Sequence, residues 1–394
     1  MTSADAVSNL PPLQADEAQH GVLVSRAVRA AIATHNGWLA FDDYLRLVLY
    51  APGLGYYSAG SAKIGSGGDF VTAPELSSLF GQCVARQCAQ VLQHTGGDVL
   101  ELGAGTGALA ASVLTTLHEL ALLPDHYYIL EVSADLRQRQ QQRLAALPAA
   151  LRTRVRWLDA LPAAPIAGVI LANEVADALP FKRFVIAADA VLERGVALSA
   201  QGALVDADRP AEPPLRAQLA QIAESLAQPW PSDYQSELCP MLQPWIAALG
   251  AALGRGTALL IDYGLSRREY YHPQRSRGTL RCHFRQHAHE CALLHPGLQD
   301  ISAWVDFTRV AEAAIDATLD VAGYCTQAAF LLATGIEADV AASDTTLQRA
   351  QLASEARRLL LPDAMGETFK VMALTRGFDA PLRGFAHQDL RGSL

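Results

Sequence analysis

Hydrophobic and polar positions change rhythm near Asp98. Before it, apolar residues recur at helical spacing through "HGVLVSRAVRAAIATHNG", which follows Glu17, and through "FDDYLRLVLY" after Trp38. Gly, Ser and Pro then interrupt residues 51–76, "APGLGYYSAGSAKIGSGGDFVTAPEL". Loops of that length inside compact domains are usually functional. A helix is predicted from Ser77 to about Gln93. From Asp98 the pattern becomes short apolar strands separated by amphipathic helices. "DVLELG", "HYYILEV", "VRWLD" and "AGVILANE" read as strands; "ALAASVLTTLHEL" and "SADLRQRQQQRLAAL" read as helices. "TALLIDYG" (257–264) and "ETFKVMALTRG" are later strands of the same kind.

Apolar strands alternating with helices imply a mostly parallel sheet covered on both faces, a Rossmann-like α/β fold. The expected organisation is a flexible tail (1–16), an N-terminal helical region (17–93) carrying the Gly-rich loop, and a core (94–377). Short alternating strands over 184–207 suggest a hairpin excursion. Residues 213–254 read as helical, within an insertion of about 210–254. A loop of about 265–302 faces the substrate side, and a C-terminal tail spans 378–394.

Composition narrows the function classes. The 394 residues suit two or three domains, or one large α/β domain with insertions. The net charge of −9 argues against broad contact with a phosphate backbone, so no nucleic-acid partner is expected. Six scattered cysteines, none in a C-x-x-C pair, suggest reduced thiols. The start shows no secretory signal and no run is long and apolar enough for a membrane span. The expectation is a cytoplasmic protein. An apolar face on the 213–254 insertion would suit a homodimer.

In "VLELGAGTGALA", Gly103, Gly105 and Gly107 fall at the carboxyl end of the first strand, where open α/β sheets bind ligands. Glycines let the backbone turn tightly and approach a ligand. The helix that follows offers free N–H groups to an anion. Glu131 ends the next strand and suits a ribose diol. Two ligand classes fit. Dinucleotides prefer G-x-G-x-x-G, whereas Glu101 two residues ahead of G-x-G-x-G is the spacing associated with S-adenosylmethionine. A plain strand–helix turn is the ligand-free reading. Asp159 follows the third strand, within reach of an adenine amino group or as a helix N-cap. Asn173 and Glu174 follow the fourth, where the donor's methyl group would point.

Here the sequence resembles S-adenosylmethionine-dependent methyltransferases of the MidA-like family. The mitochondrial members of that family are complex I assembly factors and protein arginine methyltransferases. "GYYS", "IGSGGDFVTAPELSSLFG", "ELGAGTG", "NEVADALPFKRF", "LLIDYG", "GTLRCH", "HPGLQDISAWVDF" and "MGETFKVMALTRG" carry the resemblance, from about Gly55 to Gly377. It implies a class I methyltransferase sheet with a helical insertion, the cofactor S-adenosylmethionine, and a protein-arginine acceptor such as a respiratory complex I subunit. Lack of an evident import sequence points to a bacterial member. Trp304 stands where many relatives would carry histidine.

An arginine acceptor is cationic at neutral pH, so carboxylates beside it would grip the guanidinium and take a proton. Glu174 is the candidate clamp, helped by Asp177 or Asp69, with Asn173 beside it; the alternative for Asp177 is a cap before Ala178. The glycine-rich loop would close over the donor through Asp69, Thr72 and Pro74. Thr72 and Glu75 also have capping-box spacing, and Pro74 suits a first helical turn. His283, His287 and His289 lack a strong zinc spacing, and no metal is expected. Two other classes stay open: an assembly chaperone that binds the donor without chemistry, and a dinucleotide oxidoreductase.

Overall fold

A computed structural model describes residues 10–58, 72–188 and 190–394. Seven strands build its main sheet in chain order: β1 (Asp98–Leu102), β2 (Tyr127–Leu130), β3 (Val155–Leu158), β4 (Ile166–Asn173), β5 (Leu253–Leu265), β6 (Asp320–Thr326) and β7 (Phe369–Arg376). Their spatial order is β6-β7-β5-β4-β1-β2-β3, and a two-residue strand, Val305–Asp306, joins β5. Five strands run parallel; β7 is antiparallel to both neighbours.

Period-two alternation shows why both faces are covered. Val99, Val169, Leu171, Leu259 and Ile261 enter one apolar cluster, while Leu100, Ile170, Ala172, Ala258 and Leu260 enter the other. Helices Ser78–Thr95, Ala108–Glu119 and Thr346–Leu360 supply the first cluster; Leu242–Ala252 and Phe307–Asp316 supply the second.

β1 and β4 are neighbours, yet the chain leaves β1 toward β2 and β3 before returning as β4. That reversal opens a crevice at their carboxyl ends.

Outside the main sheet, Trp38–Leu39, Lys182–Ile186, Val191–Leu198, Leu204–Pro210 and Tyr234–Leu238 form an antiparallel accessory sheet. The strand signal over 184–207 thus belongs to a larger meander. The stretch expected as helical over 213–254 holds the strand Tyr234–Leu238 between two helices. Buried Ser236 and Glu237 within that strand break its apolar pattern. A small third sheet pairs Arg281–Phe284 with His287–His289 and Asp300–Ser302. The N-terminal helix Ala15–Thr34 packs on the accessory sheet and on the turn Arg46–Tyr50, burying Val24, Val28 and Ile32. Residues 378–394 lie against the body of the protein: Phe378 and Leu382 are buried, and the Gly384 N–H donates to Gln87 Oε1 at 2.8 Å. Among the described residues no helix is long and apolar enough to cross a membrane. Four of the six cysteines, Cys83, Cys88, Cys282 and Cys325, are buried.

Candidate active site

A cavity of about 270 Å³ occupies the crevice. Glu101 and Leu102 end β1 on its floor, Leu130 and Glu131 approach from β2, and Asn173 and Glu174 from β4.

The glycine turn explains its own composition. Gly103, Gly105 and Gly107 have φ of 60°, 54° and 85°, in the left-handed region that side chains disfavour. Gly103 and Gly105 line the cavity. Gly107 does not; it is the N-cap of helix Ala108–Glu119 and sits against Gln140. Gln140 is fully buried and donates through Nε2 to both Gly105 O and Glu131 Oε2 at 2.9 Å. Trp157 Nε1 donates to its carbonyl oxygen at 3.0 Å. Gln140 therefore fixes the turn relative to Glu131. The Ser133 N–H donates to Glu131 Oε1 at 2.9 Å. Both carboxylate oxygens keep a further lone pair for a ligand hydroxyl. Burial pushes the Glu131 pKa up. Burial also pushes Glu101 to about 7, against the stabilising Tyr127 O–H at 2.7 Å.

The segment Thr72–Ser77 closes the side of the cavity through Thr72, Pro74 and Glu75. Thr72 is the N-cap of the short helix Ala73–Leu76, but its side chain makes no capping bond. The capping box does not form because Glu75 is engaged elsewhere: Thr106 Oγ1 donates to it, and Arg143 reaches it at 2.8 Å and 3.3 Å. Pro74 does occupy the first turn. Asp69 lies outside the described residues.

At the other end, Glu174 has φ of 53°, an uncommon value for a non-glycine residue and one that clusters at functional sites. Its N–H donates to Ile261 O at 2.9 Å, and Asn173 Nδ2 donates to its Oε1 at 3.2 Å. Burial first, then the neighbouring Asp177, pushes Glu174 up to about 8; the Asn173 side chain and the Ala73 N–H oppose the shift.

Besides Gly107, two expected residues lie apart from the cavity wall. Asp159 is exposed and pairs with Arg137 at 2.6 Å. Asp177 starts no helix, so it caps none. It is buried on the far side of the loop, in a separate small cavity with Trp304, Asp306 and Arg309. Burial, then Asp262 and Asp300, raise its pKa well above the usual range.

Sequence reasoning missed Asp262, although "LLIDYG" carries an acid near the carboxyl end of β5, much as β2 is followed by one. Asp262 Oδ2 accepts the N–H groups of Val175, Ala176 and Asp177 at 3.2, 2.9 and 3.2 Å, and so shapes the loop after β4. Burial and the Glu174 carboxylate push it to about 8. Tyr50 and Trp245 also line the cavity unannounced. His283 and His287 lie on a hairpin with His289. His289 is buried, its pKa is lowered by burial, and its Nδ1 accepts the Cys291 N–H at 3.2 Å. Among the described residues no three His, Cys, Asp or Glu side chains gather as a metal centre requires.

Residues 83–325 match a protein family described as "Putative S-adenosyl-L-methionine-dependent methyltransferase". The chain belongs to this methyltransferase family. A solved relative from Burkholderia thailandensis, bound to S-adenosyl-homocysteine, is 42% identical and superposes with a TM-score of 0.93 over 98% of this chain and 100% of that one. The zebrafish (Danio rerio) protein arginine methyltransferase NDUFAF7 is 27% identical over 372 residues, 86% of this chain and 83% of that protein. Its homologue from Drosophila melanogaster is 30% identical over 326 residues, 75% of this chain and 70% of its own length.

The fold is that of a class I methyltransferase, and the cofactor is S-adenosylmethionine. The cavity suits it. A carboxylate with spare lone pairs follows β2, as a ribose requires. The glycine turn and the helix start offer backbone amides to a carboxylate. Leu102, Val132 and Leu136 give apolar wall for an aromatic base, and Val132 is 78% exposed.

Proposed function

We propose that this methyltransferase acts on a protein arginine. The observation that carries the reading is the charge imbalance beside Glu174. Among the described residues the cavity lining contains no Lys, Arg or His. Yet Glu174, Asp177, Asp262 and Asp300 lie close enough together to raise the Tyr263 pKa jointly, after burial itself. Asn173 Oδ1 is buried without a hydrogen-bond partner among the described residues. A site rich in acceptors and poor in donors suits a guanidinium, which brings one positive charge and five N–H donors.

On this reading Glu131, Glu101, Gly103, Gly105, Thr72 and Pro74 hold the donor. Gly107 acts by starting the helix. When bound, S-adenosylmethionine supplies a sulfonium methyl that an acceptor nitrogen takes by in-line displacement: the N–C bond forms as the C–S bond breaks. Glu174 accepts N–H bonds from the guanidinium, holds the attacked nitrogen in line and takes the proton it loses. A carboxyl raised to about 8 is a stronger base than an ordinary one once ionised, and the positive charge of a bound guanidinium favours that ionised form. Asn173 Oδ1 accepts from a second nitrogen. Asp177 contributes charge from behind the loop. Following the family resemblance, a hydrophilic subunit of respiratory complex I is the first acceptor protein to test.

The test supplies methyl-labelled S-adenosylmethionine and the purified chain to an extract from cells lacking its gene, followed by acid hydrolysis of the protein. Label recovered as methylarginine supports the reading. Label recovered as methyl-lysine or as a volatile ester overturns arginine as the acceptor. No label, with S-adenosylhomocysteine still bound by calorimetry, favours an assembly chaperone instead.

A further inference from the structure

We propose that Tyr50 and Tyr57, with Asp300 behind them, form a wall that selects a planar guanidinium over an ammonium; this rests on the methyltransferase reading above. The wall is built outside the methyltransferase sheet. Tyr50 ends the π-helical turn Arg46–Tyr50, a wide turn of a kind frequent at functional sites. The chain then doubles back, and the N–H groups of Tyr56 and Tyr57 donate to Val48 O and Leu49 O at 2.8 and 2.9 Å. Gly55 permits this, since a Cβ there would lie 2.5 Å from the Leu49 and Tyr50 backbone. Tyr57 therefore lands on Tyr50, with ring centroids 5.4 Å apart and planes at 28°. Tyr56 braces Tyr57 edge-on at 5.1 Å.

Both rings line the cavity alongside Asn173, Glu174 and Ala178. Neither hydroxyl proton is left for a ligand. Tyr50 O–H donates to Ala178 O at 2.6 Å, and Tyr57 O–H donates to Asp300 Oδ1 at 2.6 Å. What the pair offers a ligand is therefore aromatic surface, in a fixed place. Asp300 is buried on the third sheet, with His283 Nδ1 3.8 Å from its Oδ2, and its Oδ1 holds Tyr57 in place at the cavity, so it is a positioning residue. A phenol that donates to a carboxylate holds more electron density in its ring, which strengthens its attraction for a cation. A flat guanidinium can lie against such a ring while its in-plane N–H groups reach Glu174 and the orphan Asn173 Oδ1. A tetrahedral ammonium has no planar edge to aim at the two acceptors while a flat face lies on the ring, so it meets them with poorer geometry.

The experiment uses the full chain and two adenosine probes, each carrying at its 5′ position a short alkyl arm tipped with guanidinium or with ammonium. Calorimetry gives the ratio of their affinities, which general damage to the donor site leaves unmoved. S-adenosylhomocysteine is titrated in parallel. The wild-type chain is expected to prefer the guanidinium probe by about tenfold. Tyr57→Leu is expected to bring the ratio to about one. Tyr57→Phe and Asp300→Asn, which keep the ring and lose the charged hydrogen bond, are expected to leave it at about threefold. A wild-type ratio near one, or a ratio unchanged in Tyr57→Leu, overturns the selective wall while S-adenosylhomocysteine binding keeps the methyltransferase reading intact. Failure of all three compounds to bind the wild-type chain overturns that reading and the wall with it.

Discussion

Two groups of buried carboxylates in this molecule keep different company. At the accessory sheet, Asp42 of the short helix Phe41–Leu45 and Glu193 of the sheet are 6% and 1% exposed, and Lys182 Nζ bonds to both, at 3.0 and 2.7 Å. Arg209 stands 3.7 Å from Glu193. Around the cavity, Glu174, Asp177 and Asp262 are held above the usual carboxylate range by burial and by one another. Of the three, Glu174 lines the cavity, and no Lys, Arg or His of the described residues lines it too. The first group is neutralised within the fold and serves stability. The second is left uncompensated, a cost that folding bears and that a cationic acceptor would relieve. Burial alone does not mark a functional acid; burial without a partner cation does.

Breaking the second group should cost most. Glu174→Gln is expected to lower methyl transfer by about a thousandfold, measured as initial rate, because a general base is lost. Donor affinity should stay within about twofold, since Glu174 is not among the donor's proposed ligands. Breaking the first group should damage the fold instead. Lys182→Met takes away the cation that two buried carboxylates share and leaves them only Arg46 at 3.3 Å from Asp42 and Arg209 at 3.7 Å from Glu193, and denaturant unfolding is expected to show about 3 kcal/mol lost. The donor end sharpens the contrast further. Glu131→Ala removes charged hydrogen bonds to the donor, and calorimetry is expected to show about thirtyfold weaker S-adenosylhomocysteine binding.

The donor half was legible because its signals are local. An apolar strand, three glycines within five positions and an acid after the next strand each follow from short-range rules, and Glu101, Gly103, Gly105 and Glu131 all line the cavity. In the acceptor half Asn173, Glu174 and the tyrosine pair of "GYYS" were legible as candidates, while their partners were not. Tyr57 and Asp300 meet across 243 residues, and Asp262 shapes a loop more than 80 residues before it. Periodicity carries no information at that range. Asp159 and Asp177 followed the right strands, but one turns to Arg137 and solvent and the other packs behind its loop. Thr72 and Glu75 had the spacing of a capping box; Thr106 and Arg143, tertiary partners, took the glutamate instead.

The smallest expected effect tests the central contrast most directly. A carboxyl group whose folded-state pKa lies above its unfolded value is protonated when folded and ionised when unfolded. Its contribution therefore erodes stability as pH rises from the ordinary carboxylate range toward about 8, the Glu174 value. Gln cannot ionise, so Glu174→Gln should escape that penalty. The measurement is thermal melting of wild type, Glu174→Gln and Lys182→Met at pH 8 and pH 5. Glu174→Gln is expected to melt about 2–4 °C above wild type at pH 8, with most of the gain gone at pH 5. Lys182→Met should melt below wild type at pH 8. If Glu174→Gln also melts lower at pH 8, Glu174 is already compensated within the fold, and the acids beside the cavity are not waiting for a cation.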